Sequence, residues 1–301
     1  MHLPDGLRGL PMLRLHFGLR AAEPLRLAGY AGSTWHGALG HALLALAPAS
    51  AELLYGSESV GDVPRPMVLL PYASGPEHAP GAGLGFSLTL FGPAVEHAAV
   101  VALAVEHLAE RGLGTRHARL RLMQASVELA DGTLQPWLGP AGVAAAVPAP
   151  VTAAEVAALW SGWPARRAVL AFDTRLRLKH ASGLLRSAPP ARVLLQRLLE
   201  RVSALCLHYG AGLPLPEDLV RAVLAVAESV AVEGQGLRWQ EWERLSGRTG
   251  MRMPFGGLVG RLAMRGNLAP LLPWLGLGEW LHLGSKSSFG LGHYTLLAAP
   301  R

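Results

Sequence analysis

The sequence predicts an α+β protein made of two tandem βαββαβ halves, the second carrying a helical insertion. Three observations predict it. In the first half, short alternating apolar stretches and two longer helical stretches follow one another as strand, helix, strand, strand, helix, strand. An alanine-, proline- and glycine-rich bridge then runs from Pro136 to Pro150. Beyond it the same order restarts. This is the ferredoxin-like arrangement, also the plan of the RNA-recognition motif (RRM). The bridge sets domains of 1–145 and 146–301.

Each element has its reason. Met12-Leu13-Arg14-Leu15-His16-Phe17 alternates apolar and polar, as a strand does. After a loop containing Pro24, Gly29 and Gly32, Ser33 or Thr34 caps a helix that runs to about Leu46 and is ended by Pro48. Pro66–Pro71 and Leu84–Phe91 read as strands, Pro93–Arg111 as a helix stopped by Gly112, and Arg116–Glu128 as a strand. In the second half Ala165–Leu178 is a strand and Pro190–His208 a helix with apolar spacing at Val193, Leu194, Leu198, Val202 and Leu205. The helical insertion spans Pro216 to Val232, and Trp239 with Trp242 marks one face of a helix. Leu258–Met264 is a strand, Leu268–Leu275 a short helix, and two strands flank a glycine-rich loop.

Bulk properties narrow the function. The chain has 301 residues, half of them hydrophobic and 16% charged, so a large core forms and wholesale disorder is excluded. A net charge of +6 favours an anionic partner such as nucleic acid. Of the 27 basic residues only Lys179 and Lys286 are lysines, and both lie beside glycine- or arginine-rich stretches. The lone Cys206 leaves no disulfide framework and no cysteine-based zinc site. Met1–Gly9 carries charges and no apolar core of a signal, and no uncharged apolar run is long enough to span a membrane. A soluble cytoplasmic protein without cofactor is expected.

The loop is the most informative stretch. Leu281-His282-Leu283-Gly284-Ser285-Lys286-Ser287-Ser288-Phe289-Gly290-Leu291-Gly292-His293-Tyr294 brackets a lysine and three serines with glycines. Glycine admits close approach and positive φ, which lets a loop turn its amides outward; the serines add donors and Lys286 a point charge. It is neither a Walker loop nor a GxGxxG turn. The same composition also suits an ordinary hairpin.

These residues carry a family resemblance. Leu27-Ala28-Gly29-Tyr30-Ala31-Gly32-Ser33-Thr34-Trp35-His36-Gly37-Ala38-Leu39-Gly40-His41-Ala42-Leu43, then Phe86–Gly92, Gly112-Leu113-Gly114, Leu176–Lys179, Phe255–Gly260 and the loop itself make the chain similar to the CRISPR-associated endoribonucleases of the RAMP superfamily, which cut precursor CRISPR RNA within its repeats. The resemblance implies metal-independent cleavage: the ribose 2′-OH attacks the adjacent phosphorus and leaves a 2′,3′-cyclic phosphate and a 5′-hydroxyl. It implies repeat RNA or its crRNA product as partner, with other Cas proteins of an effector complex beside it. Some members of the superfamily hold guide RNA without cutting, which is the alternative function. A metal-using phosphate-ester enzyme is a third reading, against which acidic residues do not cluster at ligand spacings.

Such a cleavage needs a base at the 2′-OH, a proton for the leaving 5′-oxygen and positive charge around the phosphate. Histidine suits both proton tasks. The resemblance places a catalytic histidine on the early helix or the loop before it. On that helix Leu39, Leu43 and Leu46 form the core stripe, from which His36 lies about 60° and His41 about 200° away. His41, over Gly37, Ala38 and Ala45, is therefore the first catalytic candidate and His36 the second. Where the family-like pattern has arginine after the glycine-serine stretch, this chain has Trp35-His36, which leaves the choice between them open. Tyr30 is a candidate to bond the scissile phosphate or orient a histidine, although a packed loop tyrosine is the favoured reading. Arg175, Arg177 and Lys179 fall at strand spacing on one face, an RNA-backbone strip or a solvated sheet face. Gly284, Ser285, Lys286, Ser287, Ser288, Gly290, Gly292 and His293 complete the RNA-binding set, and His282 alternates out of phase with its leucine neighbours. No metal ligands are assigned.

Overall fold

The computed structural model describes residues 3–27, 29–56, 63–72, 75–139, 142–143, 146–181, 183–245 and 252–299. The chain divides into two compact units, one of Leu10–Thr152 and one of Met1–Gly9 with Ala153–Arg301. The division thus falls after Thr152 rather than after 145, and the first nine residues join the second unit.

In the first unit, β1 (Pro11–Ala21), β2 (Met67–Pro71), β3 (Gly83–Phe91), β4 (Leu120–Glu128) and β5 (Leu134–Gly139) form an antiparallel sheet ordered β2-β3-β1-β4-β5. The register sets Leu13 against Leu90, Leu15 against Leu88 and Phe17 against Phe86. Period-two alternation therefore turns every one of these side chains toward one face, where all are buried. Helices α1 (Gly32–Leu46), α2 (Pro48–Tyr55) and α3 (Ala98–Arg111) complete this unit. Trp35, Leu39 and Leu43 of α1 share one core with Val101, Val105 and Leu108 of α3.

The structure corrects several expectations here. Helix α1 starts at Gly32, with Ala31 as its N-cap and no side-chain cap from Ser33 or Thr34. Leu46 is 48% exposed and leaves the core stripe, which instead runs through Trp35, His36, Leu39, Ala42 and Leu43. Pro48 does end α1, but it also opens α2 at the first helical position, where its missing N–H costs nothing. Part of the bridge is sheet: Pro136 pairs with Ser126 in β5.

In the second unit, β6 (Arg167–Leu176), β7 (Ala231–Gln240), β8 (Gly257–Arg265) and β9 (Thr295–Ala299) form an antiparallel sheet ordered β7-β8-β6-β9. Helices α4 (Ala191–Tyr209), α5 (Glu217–Glu228) and α6 (Leu272–Leu281) belong to it. Trp239 lies in β7 and Trp242 just beyond it, so the helical reading of that pair is wrong. A spacing of three fits a helix, yet β7 is exposed along most of its length and carries no core periodicity to reveal it. The strand expected before the loop is also absent: α6 runs to Leu281, and only Gly284 bridges, in parallel, to Arg177. Among the described residues no helix is long and apolar enough to cross a membrane.

Candidate functional site

Two clusters of expected site residues exist, one in each unit. In the first unit, α1 separates its two histidines by phase. His36 is buried: its ring meets Tyr55 edge-on at 4.7 Å, its Nε2 lies 3.2 Å from Arg65 Nη1, and Tyr55 donates to its carbonyl at 2.8 Å. Gly40 makes that packing possible, since a Cβ there would fall 2.8 Å from the Tyr55 ring. Burial pushes the Tyr55 phenol far up, so it stays a donor. His41 stands on the other face, exposed, without a hydrogen-bond or ion-pair partner among the described residues. A Cβ on Gly37, one turn before it, would meet nothing within 4 Å, so the space beside the imidazole is open. Tyr30 is half-buried in the bend that leads into α1.

In the second unit the loop is wound on itself. Gly284, Gly290 and Gly292 all have positive φ, and Lys286 joins them at +67°. A Cβ on Gly284 would run into the Arg177 carbonyl and one on Gly292 into the Leu283 carbonyl. The amides of Leu283, Ser285, Phe289, Gly290 and Gly292 turn inward rather than outward as expected. Leu283 N donates to Gly292 O, Ser285 N to Arg177 O, Gly292 N to Arg175 O, and Phe289 N and Gly290 N close turns on Lys286 and Ser287. Ser287 and Ser288 are buried, while Lys286 is exposed with its Nζ 5.9 Å from the centre of the Phe255 ring. What the loop presents is a lysine on a braced turn.

His293 is anchored by its amide, which donates to Thr174 Oγ1 at 2.8 Å, and by Nδ1, 2.9 Å from Asp173 Oδ1. His282 ends α6 with φ +57°, is buried, and lies 5.1 Å from the His293 ring. The carbonyl of Leu281 accepts from Arg201 Nε at 2.8 Å, a cation at a helix C-terminus whose pKa burial lowers to about 10.

Arg175 and Arg177 share a face, as their spacing predicts: both pack on Gly257, whose Cβ position lies 3.0 Å from Arg175 Cβ and 3.1 Å from Arg177 Cγ. Neither is on an open strip. Both are buried, Arg175 with its guanidinium 5.1 Å over Trp242 and Arg177 donating to Gly256 O. Burial lowers the Arg177 pKa and Glu241 opposes the shift. Lys179 lies past the end of β6, exposed, in a two-residue strand paired with Leu184. Arg186, 4.4 Å over Trp239, adds a second arginine–tryptophan stack that sequence reasoning missed. So did it miss Arg65 behind His36, and a network of Arg14, His16, Tyr72 and Glu128, although the alternation in β1 already turned Arg14 and His16 away from the core. Among the described residues no group of three or more His, Cys, Asp or Glu side chains is placed to hold a metal ion.

Residues 170–294 match the family model of the CRISPR-associated endoribonuclease Cas6. Residues 10–141 match a model described as an N-terminal domain. The fold is similar to that of a Thermus thermophilus Cas6, with a TM-score of 0.60 and 16% identity over 96% of this chain and 99% of that one. It is similar to a second Cas6, solved as a product complex, with a TM-score of 0.55 and 21% identity over 96% and 99% of the two chains. A chain of a partial Cas6-RT-Cas1–Cas2 complex is similar at a TM-score of 0.65 and 15% identity, over 96% of this chain and 46% of that one. No curated protein matches the sequence.

Proposed function

We propose that this chain, whose residues 170–294 match the model of the CRISPR-associated endoribonuclease Cas6, cuts precursor CRISPR RNA by metal-independent attack of a ribose 2′-OH on the adjacent phosphorus. The bond to the 5′-oxygen breaks as the new P–O bond forms, leaving a 2′,3′-cyclic phosphate and a 5′-hydroxyl. His41 moves a proton in this step, as base at the 2′-OH or as acid at the leaving oxygen. The observation that carries this reading is the contrast on α1, where His36 is held by Tyr55 and Arg65 while His41 is exposed over open space. Tyr30, at the mouth of the same helix, is the candidate for orienting the phosphate.

Both sheets are read as ferredoxin-like. That reading is supported by their common strand order, in which the second and third strands of each unit lie to one side of the first and the last strand to the other. The second unit holds the RNA: Lys286 and Lys179 at the surface attract phosphate, and Arg175 and Arg177 set the loop and strand that present them. CRISPR repeat RNA, its crRNA product and other Cas proteins are the partners, and the cytoplasm is the place of action.

The experiment is incubation with end-labelled repeat RNA in EDTA, with product ends mapped. Cyclic-phosphate ends in EDTA, and intact binding without cleavage when the ribose at the cut is 2′-deoxy, are expected. Tight binding without any cleavage would identify a guide-holding subunit instead, and strict dependence on added magnesium would replace 2′-OH attack with metal-activated water.

A further inference from the structure

The face of the first unit's sheet that turns away from its apolar core carries a polar chain that none of the roles above uses. Arg14 Nη1 lies 3.1 and 3.3 Å from the two Glu128 oxygens, and Arg14 Nε donates to Thr89 Oγ1 at 3.1 Å. His16 Nε2 is 2.7 Å from Glu128 Oε2, and His16 Nδ1 is 2.6 Å from the Tyr72 hydroxyl. In the neutral ring Nε2–H donates to Glu128 and Nδ1 accepts from Tyr72. Burial opposes the Glu128 charge, but His16 and Arg14 outweigh it and hold the carboxyl below the usual range. Burial and then Glu128 push the Tyr72 phenol well up. With the His16 ring in that form, the phenol directs its proton to His16, which leaves its oxygen as an acceptor polarised by the chain behind it.

That oxygen belongs to a side chain that walls an open surface groove of about 410 Å³, together with Gly18, Arg20, Gly83, Met123 and Gln124. The volume falls in the range of small-molecule sites. Gly18 and Gly85 face each other across β1 and β3. A Cβ on Gly85 would fall 2.8 Å from the Tyr72 ring, and one on Gly18 3.0 Å from Gln124 Cγ, so the bare backbone lets both side chains lie close on the sheet. Arg20 is exposed and has no ion-pair partner among the described residues.

We propose that this groove is a ribonucleotide subsite, with the phosphate on Arg20, a ribose hydroxyl donating to the Tyr72 oxygen, and the base edge read by the Gln124 amide beside Met123. A cation, a one-sided acceptor and an amide around a flat backbone floor match those three parts of a nucleotide. The inference rests on RNA as substrate only for the source of the nucleotide.

The test is ligand-observed NMR of adenosine 5′-monophosphate (AMP) with the full chain, beside inorganic phosphate and 2′,3′-dideoxy-AMP. AMP binds better than either comparison probe. Arg20→Ala weakens AMP at least tenfold, and Tyr72→Phe, which keeps the ring, abolishes the preference for AMP over its dideoxy analogue. A purely structural network would shift the melting temperature of Tyr72→Phe and leave that preference untouched, which overturns the proposal. So does an absence of AMP binding at millimolar concentration. Displacement of AMP by single-stranded repeat RNA places the nucleotide within a strand, and failure to displace makes it a free nucleotide; both keep the subsite. Repeat cleavage is measured in parallel: cleavage without AMP binding removes only this inference, and AMP binding without cleavage removes only the endoribonuclease reading.

Discussion

His41→Ala is the substitution on which the catalytic reading turns. His41 is exposed and partnerless among the described residues, so its removal breaks no hydrogen bond or ion pair there and leaves the melting temperature within about 2 °C. Its loss removes one acid–base group, which lowers the single-turnover rate at saturating enzyme by about 10² to 10⁴, equivalent to about 3–5 kcal/mol. RNA affinity stays close to wild type, because the proposed phosphate contacts lie elsewhere. His36→Ala does the opposite. It removes a buried ring packed 4.7 Å from Tyr55 and takes from Arg65 the nitrogen 3.2 Å away. The lost packing and the abandoned donor together cost about 2–4 kcal/mol. That is a fall of about 4–16 °C, at about 2–4 °C per kcal/mol for a unit of this size. The assay is a set of thermal melts with single-turnover rates on labelled repeat RNA. A stable His36→Ala that does not cut, beside a His41→Ala that cuts normally, would refute the reasoning, and full rates in both would remove α1 from the chemistry.

Three further outcomes are expected. Lys286→Ala weakens repeat binding while the single-turnover rate at saturation stays within about tenfold; a larger rate loss with intact binding would make Lys286 part of the reacting centre. Gly292→Ala drives a Cβ into the Leu283 carbonyl at φ +77° and releases the loop from Arg175 O, so RNA affinity falls while far-UV circular dichroism holds; wild-type affinity would show the loop to be a bystander. The Glu128 carboxyl is held below its ordinary value in the folded state, so its contribution is present above the unfolded pKa of about 4.3 and is lost as pH falls through the lower folded value. Glu128→Gln should therefore be less stable than wild type at pH 7 and lose less on acidification to pH 3, in urea melts at both pH values.

The first unit was legible because its strands are amphipathic. Leu13, Leu15 and Phe17 alternate with Arg14 and His16, and that period is visible in any window of the sequence. β7 was not legible, since a strand exposed along most of its length shows no apolar period, and two tryptophans three apart suggested a helix in its place. α2 was missed because proline was taken only as a stop, although the first turn of a helix accepts it. The phase of α1 was read nearly correctly from two leucines. Leu46 misled because the last turn of a helix need not face the core that its middle faces. The partners of His36 lie at Tyr55 and Arg65, separations that no local pattern reports.

The glycine-rich loop shows a deeper limit of composition. Glycines at positive φ were expected to aim amides at a ligand, because backbone N–H groups in such turns make anion sites. Here the same glycines let the loop press against the β6 end: Gly284 and Gly292 admit the carbonyls of Arg177 and Leu283 where any side chain would collide. The Ser285 and Gly292 amides then pair with the carbonyls of Arg177 and Arg175, as buried N–H groups must. One glycine pattern can therefore build either an anion nest or a tightly wound brace, and only the position of the opposing carbonyls decides. In the brace, charge recognition passes from backbone to side chain. On the proposed RNA-binding reading, that makes Lys286, one of two lysines among 27 basic residues, the group of the loop through which phosphate is attracted.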